Sequence, residues 1–318
     1  MRTTRPHAIA ACFALLLGGC DDPLSHPETL VAGPALLANT IDDAVGKIAY
    51  VVGAGTDFDL YVGNPDGTGL VDVSNSDHFD TGPDFSPNAR RIVFCSNREG
   101  DEFGGDIFVM KVDGNDLQRL TNFGSACNPS WAPSGQKIAF ESGHEDPGFD
   151  IYVMNAGGGD VVNLTNVEAS DGKPIWSPNG RQIAFSSDRG REVPFSAFDI
   201  FVMDADGGNV RRLTEAPDGG FDLPWSWSRN GKQIAFYRAG PGGETDIYLV
   251  NVDGSGETQL TDDDVSSLGA WSPNGRQIAF SRDNRPFIMY ADGSDAEAIP
   301  LPAVLNGKIV HAYDWSHP

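Results

Sequence analysis

The 318-residue chain carries 45 Asp and Glu against 22 Lys and Arg, a formal net charge of −23. That balance excludes nucleic acid as a partner, because phosphate contacts need a basic surface. Thirty-eight glycines, 21 prolines and 40% apolar residues point to a turn-rich β protein long enough to bury a substantial core.

The N-terminus reads as an address. Arg2 and Arg5 precede an apolar run at residues 8–17 that is too short to span a bilayer, and Leu17-Gly18-Gly19-Cys20 resembles a bacterial lipobox. The resemblance implies removal of residues 1–19 as a signal peptide and lipidation of Cys20. An ordinary secretory signal is the alternative. Residues 20–45, with Pro23, Pro27 and Pro34, form a tether without periodicity. Cys12 lies in the signal, which leaves Cys95 and Cys127 in the mature chain. In an oxidising compartment they either pair or remain two buried thiols.

From residue 46 to 318 the chain repeats itself. W-S-P-N-G-R-Q-I-A-F stands at 176–185 and again at 271–280, with variants at 85–94, 131–140 and 227–236. Aligned on their isoleucines, Ile48, Ile92, Ile138, Ile183, Ile234 and Ile278 mark six units of 44 to 51 residues. This period suits four-stranded propeller blades. In each unit Pro178 and its equivalents set a turn, and the I-A-F strand follows. An unbroken apolar run such as Ile151-Tyr152-Val153-Met154 reads as a strand covered on both faces. A D-G turn and a short strand ending in Leu-Thr complete the unit. Ile183 and Phe185 are expected to face one neighbouring blade and Ala184 the other, where a tryptophan fills the room. The aspartates before the third strand, Asp59, Asp106, Asp150, Asp199 and Asp246, recur too regularly to be a site and are expected to hold local backbone.

The first unit lacks a tryptophan strand, and residues 310–316 form one with nothing after it. The fold expected is therefore an all-β six-bladed propeller of antiparallel four-stranded blades, its C-terminal strand completing the first blade. The P-x-W-S-P-x-G-x-x-I-A-F, D-I-Y-V and R-L-T units resemble those of TolB-type propellers of bacterial envelopes. TolB itself carries an α/β domain before its propeller, for which residues 21–45 are too few. The resemblance implies a periplasm-facing, lipid-anchored protein that binds an envelope protein or peptide and is a monomer.

Function is expected on the face that carries the variable, acidic loops between blades and between second and third strands. Asp80, Asp171 and Asp222 each stand five residues before a turn aromatic, a spacing that would bring three carboxylates to one mouth of the channel as a cation or basic-peptide site. The alternative is polar strand ends. His78 and His311 are the histidines to join them in a channel-mouth hydrolase or lyase, and Trp225 is either a channel-lining aromatic or core. A carbohydrate-binding module would use Phe103, Phe195 and Phe221. No G-x-S-x-G, H-E-x-x-H, phosphate loop or C-x-x-C occurs, so no catalytic residue is assigned, no cofactor is required, and a bound divalent cation is left open.

Overall fold

The computed structural model describes residues 46–316 except 56, 100–104 and 145–147. Cys20, the signal, the tether and Phe103 lie outside the described residues. Six antiparallel four-stranded sheets succeed one another. In the fourth, Asp171–Trp176 is innermost, followed by Gln182–Ser187, Asp199–Asp204 and the two-residue Arg211–Arg212 at the rim. Each innermost strand contacts that of the next blade, and Ile309–Trp315 contacts both Ser266–Trp271 and Asp80–Phe85. That cycle closes the ring. Ile309–Trp315 pairs antiparallel with Ile48–Ala54, so the two ends of the chain share the first blade as expected.

The repeated phrase builds both the turn and the packing between blades. Ser177 Oγ accepts from Gln182 N (2.9 Å) and donates to Asn179 Oδ1 (3.0 Å), while Gly180 supplies the left-handed φ of 67° that the reversal needs. The tryptophan ahead of it crosses to the previous blade. Trp176 shares a buried cluster with Ala139 of the third blade, and Trp227 one with Ala184 of the fourth. Trp315 meets Ala279 of the sixth blade in the same way, closing the series across the chain ends. Trp227 Nε1 also donates to Ile175 O at 3.2 Å across the blade boundary. Ile183 and Phe185 face the third blade and Ala184 the fifth.

The third-strand aspartates hold local structure. Thr165 Oγ1 donates to Asp150 Oδ1 (3.0 Å) and accepts from Ile151 N (3.0 Å), and Thr121 with Asp106 and Thr261 with Asp246 repeat the relay. The Leu-Thr signature is the other half of this device. Between the second and third blades Cys95 and Cys127 form a disulfide, with Cα atoms 5.0 Å apart.

Trp176→Ala should lower the unfolding free energy by about 3–5 kcal/mol, since it empties a large site between two blades; a urea midpoint equal to wild type would reject that role. The disulfide closes a 32-residue separation. Cys95→Ser/Cys127→Ser should therefore lose roughly 3–4 kcal/mol in the same titration.

Candidate functional site at the centre of the ring

The innermost strands do not run straight. Each has an irregularity just before its turn aromatic, between Thr81 and Asp84, Cys127 and Ser130, Gly172 and Ile175, Pro224 and Ser226, and Ser267 and Ala270; that of the first blade lies opposite Ala49 and Tyr50. Asn128 and Lys173 occupy such bulges with φ of 47° and 53°. A bulge re-aims the side chain and frees its residue from the ladder, and the following Pro129 and Pro174 have no N–H to lose there.

The re-aimed side chains meet at the ring centre. Lys173 Nζ of the fourth blade lies 3.4 Å from the ring centroid of Trp225 in the fifth, and 4.7 Å from that of Tyr313 in the first. It also reaches Tyr313 Oη at 3.4 Å. First and fourth blades are opposite in a six-membered ring, so this contact spans the axis. Trp225 Nε1 donates to Tyr313 O at 2.9 Å, and the two rings meet edge to face at 4.7 Å.

Three carboxyl groups, Glu141, Asp84 and Asp314, lie near enough to act on the charge of Lys173. Glu141, from the second strand of the third blade, accepts from Lys173 N (2.7 Å) and Asn128 Nδ2 (2.9 Å). A Cβ at Gly172 would stand 2.8 Å from Glu141 Oε2, so a larger residue there would push the carboxylate from its present place. Asp84 accepts from Trp131 N, Asp314 accepts from Phe85 N (2.8 Å), and the two carboxyls hydrogen-bond each other. Burial and the charge of Asp314 push Asp84 well above the usual carboxylate range. Burial likewise raises Glu141. Burial pulls Lys173 down to about 7, against the attraction of Glu141, Asp84 and Asp314. The result is a buried polar hub drawing on five blades, able to gain or lose a proton near neutrality.

Asp80, Asp171 and Asp222 begin their innermost strands or follow the first residue of one. All three are fully buried, and each pairs with an arginine of its own blade: Arg98 at 2.7 Å, Arg189 at 2.6 Å and Arg238 at 2.6 Å. Those guanidiniums lie over aromatic rings, as Arg189 does over Phe185 and Phe201 at 4.9 and 5.2 Å. The spacing that suggested a carboxylate ring belongs to a repeated Asp–Arg–aromatic brace. Among the described residues, no three His, Cys, Asp or Glu are grouped to hold a metal ion. His78 is exposed, whereas His311 is buried with neither ring nitrogen hydrogen-bonded. Trp225 is buried and belongs to the hub. Phe195 is exposed, and Phe221 is half-buried and stacked on Phe198 at 5.6 Å.

Sequence reasoning missed Lys173, Tyr313, Glu141, Asp84 and Asp314. A signal for the first two existed. The position two or three residues before the turn aromatic varies among Gly82, Asn128, Lys173, Trp225 and Tyr313 while its surroundings repeat. Glu141 and the aspartates carry no comparable mark.

The family model of the TolB beta propeller domain matches residues 46–316, and the chain belongs to that family. Among solved structures it resembles TolB from Acinetobacter baumannii, with a TM-score of 0.67 and 22% identity over 86% of this chain and 67% of that one. A putative TolB from Agrobacterium tumefaciens superposes with a TM-score of 0.62 at 20% identity, over 86% of this chain and 100% of that one. At such identities the likeness is one of fold. A Bacillus subtilis protein described as the uncharacterized peptidase YuxL is 31% identical over 71 residues, 22% of this chain and 10% of its own length. The chain thus spans about a tenth of that curated relative.

The two buried bases both make stability rise with pH, in two separate windows. An unfolded lysine keeps its proton to about pH 10.5, whereas folded Lys173 releases it near 7, so stability rises with pH between those values. Wild type should gain about 2 kcal/mol more than Lys173→Met between pH 7 and 9. Burial pulls His311 down to about 4, so the unfolded chain takes up that proton first as pH falls below 6.5. Between pH 7 and 4.5 wild type should lose about 2 kcal/mol more than His311→Leu, measured by urea titration at each pH.

Proposed function

We propose that the chain is a non-catalytic scaffold of the bacterial cell envelope, facing the periplasm, anchored through lipid on Cys20, and binding a protein or peptide partner through the loop face of its propeller. The observation that carries this reading is where polar groups are engaged and where apolar groups are not. At the ring centre Lys173, Trp225 and Tyr313 pack against one another with their carboxylates, so a hydrolase or lyase substrate would have to displace that packing. On the loop face Val167, Val193, Phe195 and Val265 are exposed beside Glu168, Glu192, Asp218, Asp262 and Asp264. Apolar side chains inside a charged rim favour a protein partner over a small substrate.

Two further observations fit an envelope address. The Cys95–Cys127 disulfide suits an oxidising compartment, and among the described residues no helix is long and apolar enough to cross a membrane. The solved TolB structures share the fold.

Charge reversal on the loop face tests the reading without touching the core. Glu168→Lys/Glu192→Lys/Asp262→Lys should melt within a few degrees of wild type, because all three residues are exposed. In affinity capture from envelope extract it should lose the proteins that wild type retains. Identical captured sets would overturn the proposal. Cys20→Ser should move the protein from the membrane to the soluble fraction.

A further inference from the structure

The loop of the fourth blade between Gln182–Ser187 and Asp199–Asp204 is fastened at every turn, yet presents its apolar residues outward. Asp188, itself buried, accepts from Ser170 N (2.7 Å) and from Phe195 N (2.9 Å). Arg191 forks onto Asp199 and donates to Ala216 O at 2.9 Å. Gly219 N donates to Ser196 O (3.0 Å), and Phe198 N to Gly220 O (3.2 Å). Phe195, Phe198 and Phe221 form a ladder with centroids 6.4 and 5.6 Å apart.

At the top of this rigid loop Val193 is 61% exposed and Phe195 40% exposed. Phe195 also holds a φ of 61°, the left-handed region that a bulky side chain enters at a cost and that glycine enters freely. The contact with Phe198 covers part of the ring and leaves the rest in solvent. Strain held in place by a buried carboxylate, on a ring still partly open to solvent, is what a preorganised docking anchor requires.

The surroundings define the partner's chemistry. Glu192, Glu215 and Asp218 are exposed around the loop; Arg191 forks onto Asp199 and reaches Asp218 at 3.7 Å, Arg212 is engaged by Asp199 and Glu215, and Glu192 adds a further carboxylate to the rim. The rim is acidic on a chain of net charge −23. We propose that Val193, Pro194 and Phe195 form a preformed knob that docks a partner segment with an apolar anchor site flanked by Lys and Arg. This rests on the scaffold reading and narrows it to one loop and one chemistry of partner.

Strain separates the binding role from a structural one. Phe195→Gly relieves the left-handed φ but gives up the Phe198 contact and adds unfolded-chain entropy, so the effects offset and the variant should melt within a few degrees of wild type. A photoreactive benzophenone side chain placed at position 193, 195 or 265 of the full-length chain in cells then reports what touches each position, and mass spectrometry gives the sequence of the linked segment. The expected result is linkage from 193 and 195 to a segment with apolar residues beside Lys or Arg. Phe195→Gly should reduce the yield from 193 roughly ten-fold or more. An acidic or wholly polar linked segment, a second copy of this chain, or undiminished linkage from 193 in Phe195→Gly would each overturn the proposal. Linkage from 265 alone would overturn it and leave the scaffold reading standing. Linkage from none of the three positions would overturn both.

Discussion

Every boundary between blades depends on one contact, a turn aromatic of one blade lying over a small or β-branched residue in the second strand of the blade before it. Trp176 over Ala139, Trp227 over Ala184, Trp271 with Ala235 and Trp315 with Ala279 follow the rule around the ring. Phe85 with Ala49 and Trp131 with Val93 complete it. The contact explains why the repeat conserves both ends of its phrase. The tryptophan serves one boundary, whereas the alanine at its far end serves the next. A blade alone could bury neither, so the ring is stable only as a closed set. The final tryptophan strand must therefore return to the first sheet, since otherwise Ala279 would face solvent.

The acidic residues divide into two populations that composition cannot separate. One is internal. Asp106, Asp150 and Asp246 bind threonines, while Asp80, Asp171 and Asp222 hold arginines that lie across the aromatic rings of the second and third strands. In the third blade His144 fills the arginine's place, stacked on Phe123 with centroids 4.0 Å apart. Desolvation still dominates at Asp171 and Asp222 and raises both carboxyls despite their guanidinium partners. These pairs orient the ends of strands at an electrostatic cost. The other population, among it Glu168, Glu192 and Asp262, is exposed and sets the field that a partner meets.

The fold was legible because periodicity is a property of the sequence itself. Ile48 to Ile278 counted the blades, and the unmatched strand at 310–316 implied the closure. Site geometry was legible only where it followed the repeat. Asp80, Asp171 and Asp222 lie at equal distances from their turn aromatics, and equal distances imply equal roles, here a brace within each blade. Whether those roles met at the axis depended on which way each side chain pointed. The bulges decide that; Pro174 marks one beside Lys173, whereas no residue type announces the bulge at Tyr313. The pairing of Cys95 with Cys127 was undecidable for the same reason, since two adjacent repeats offer several registers and only the packed ring brings those Cα atoms to 5.0 Å.

Departures from the repeat are consequently the informative residues. Lys173, Trp225 and Tyr313 occupy equivalent bulges, yet no two are alike, and their union at the axis works because each differs from its counterparts. An ammonium, an indole and a phenol interlock where six copies of one residue would clash or repel. The hub thereby spends the symmetry of the ring on closing its centre. The fourth-blade loop departs in the other direction. It adds chain at the periphery, anchors that chain through Asp188 and Arg191, and leaves Phe195 in a conformation its side chain resists. One irregularity turns its polar groups toward one another inside the ring, and the other leaves an apolar surface uncovered outside it. Because unburied apolar surface gains free energy only when something covers it, the second is where association has a driving force.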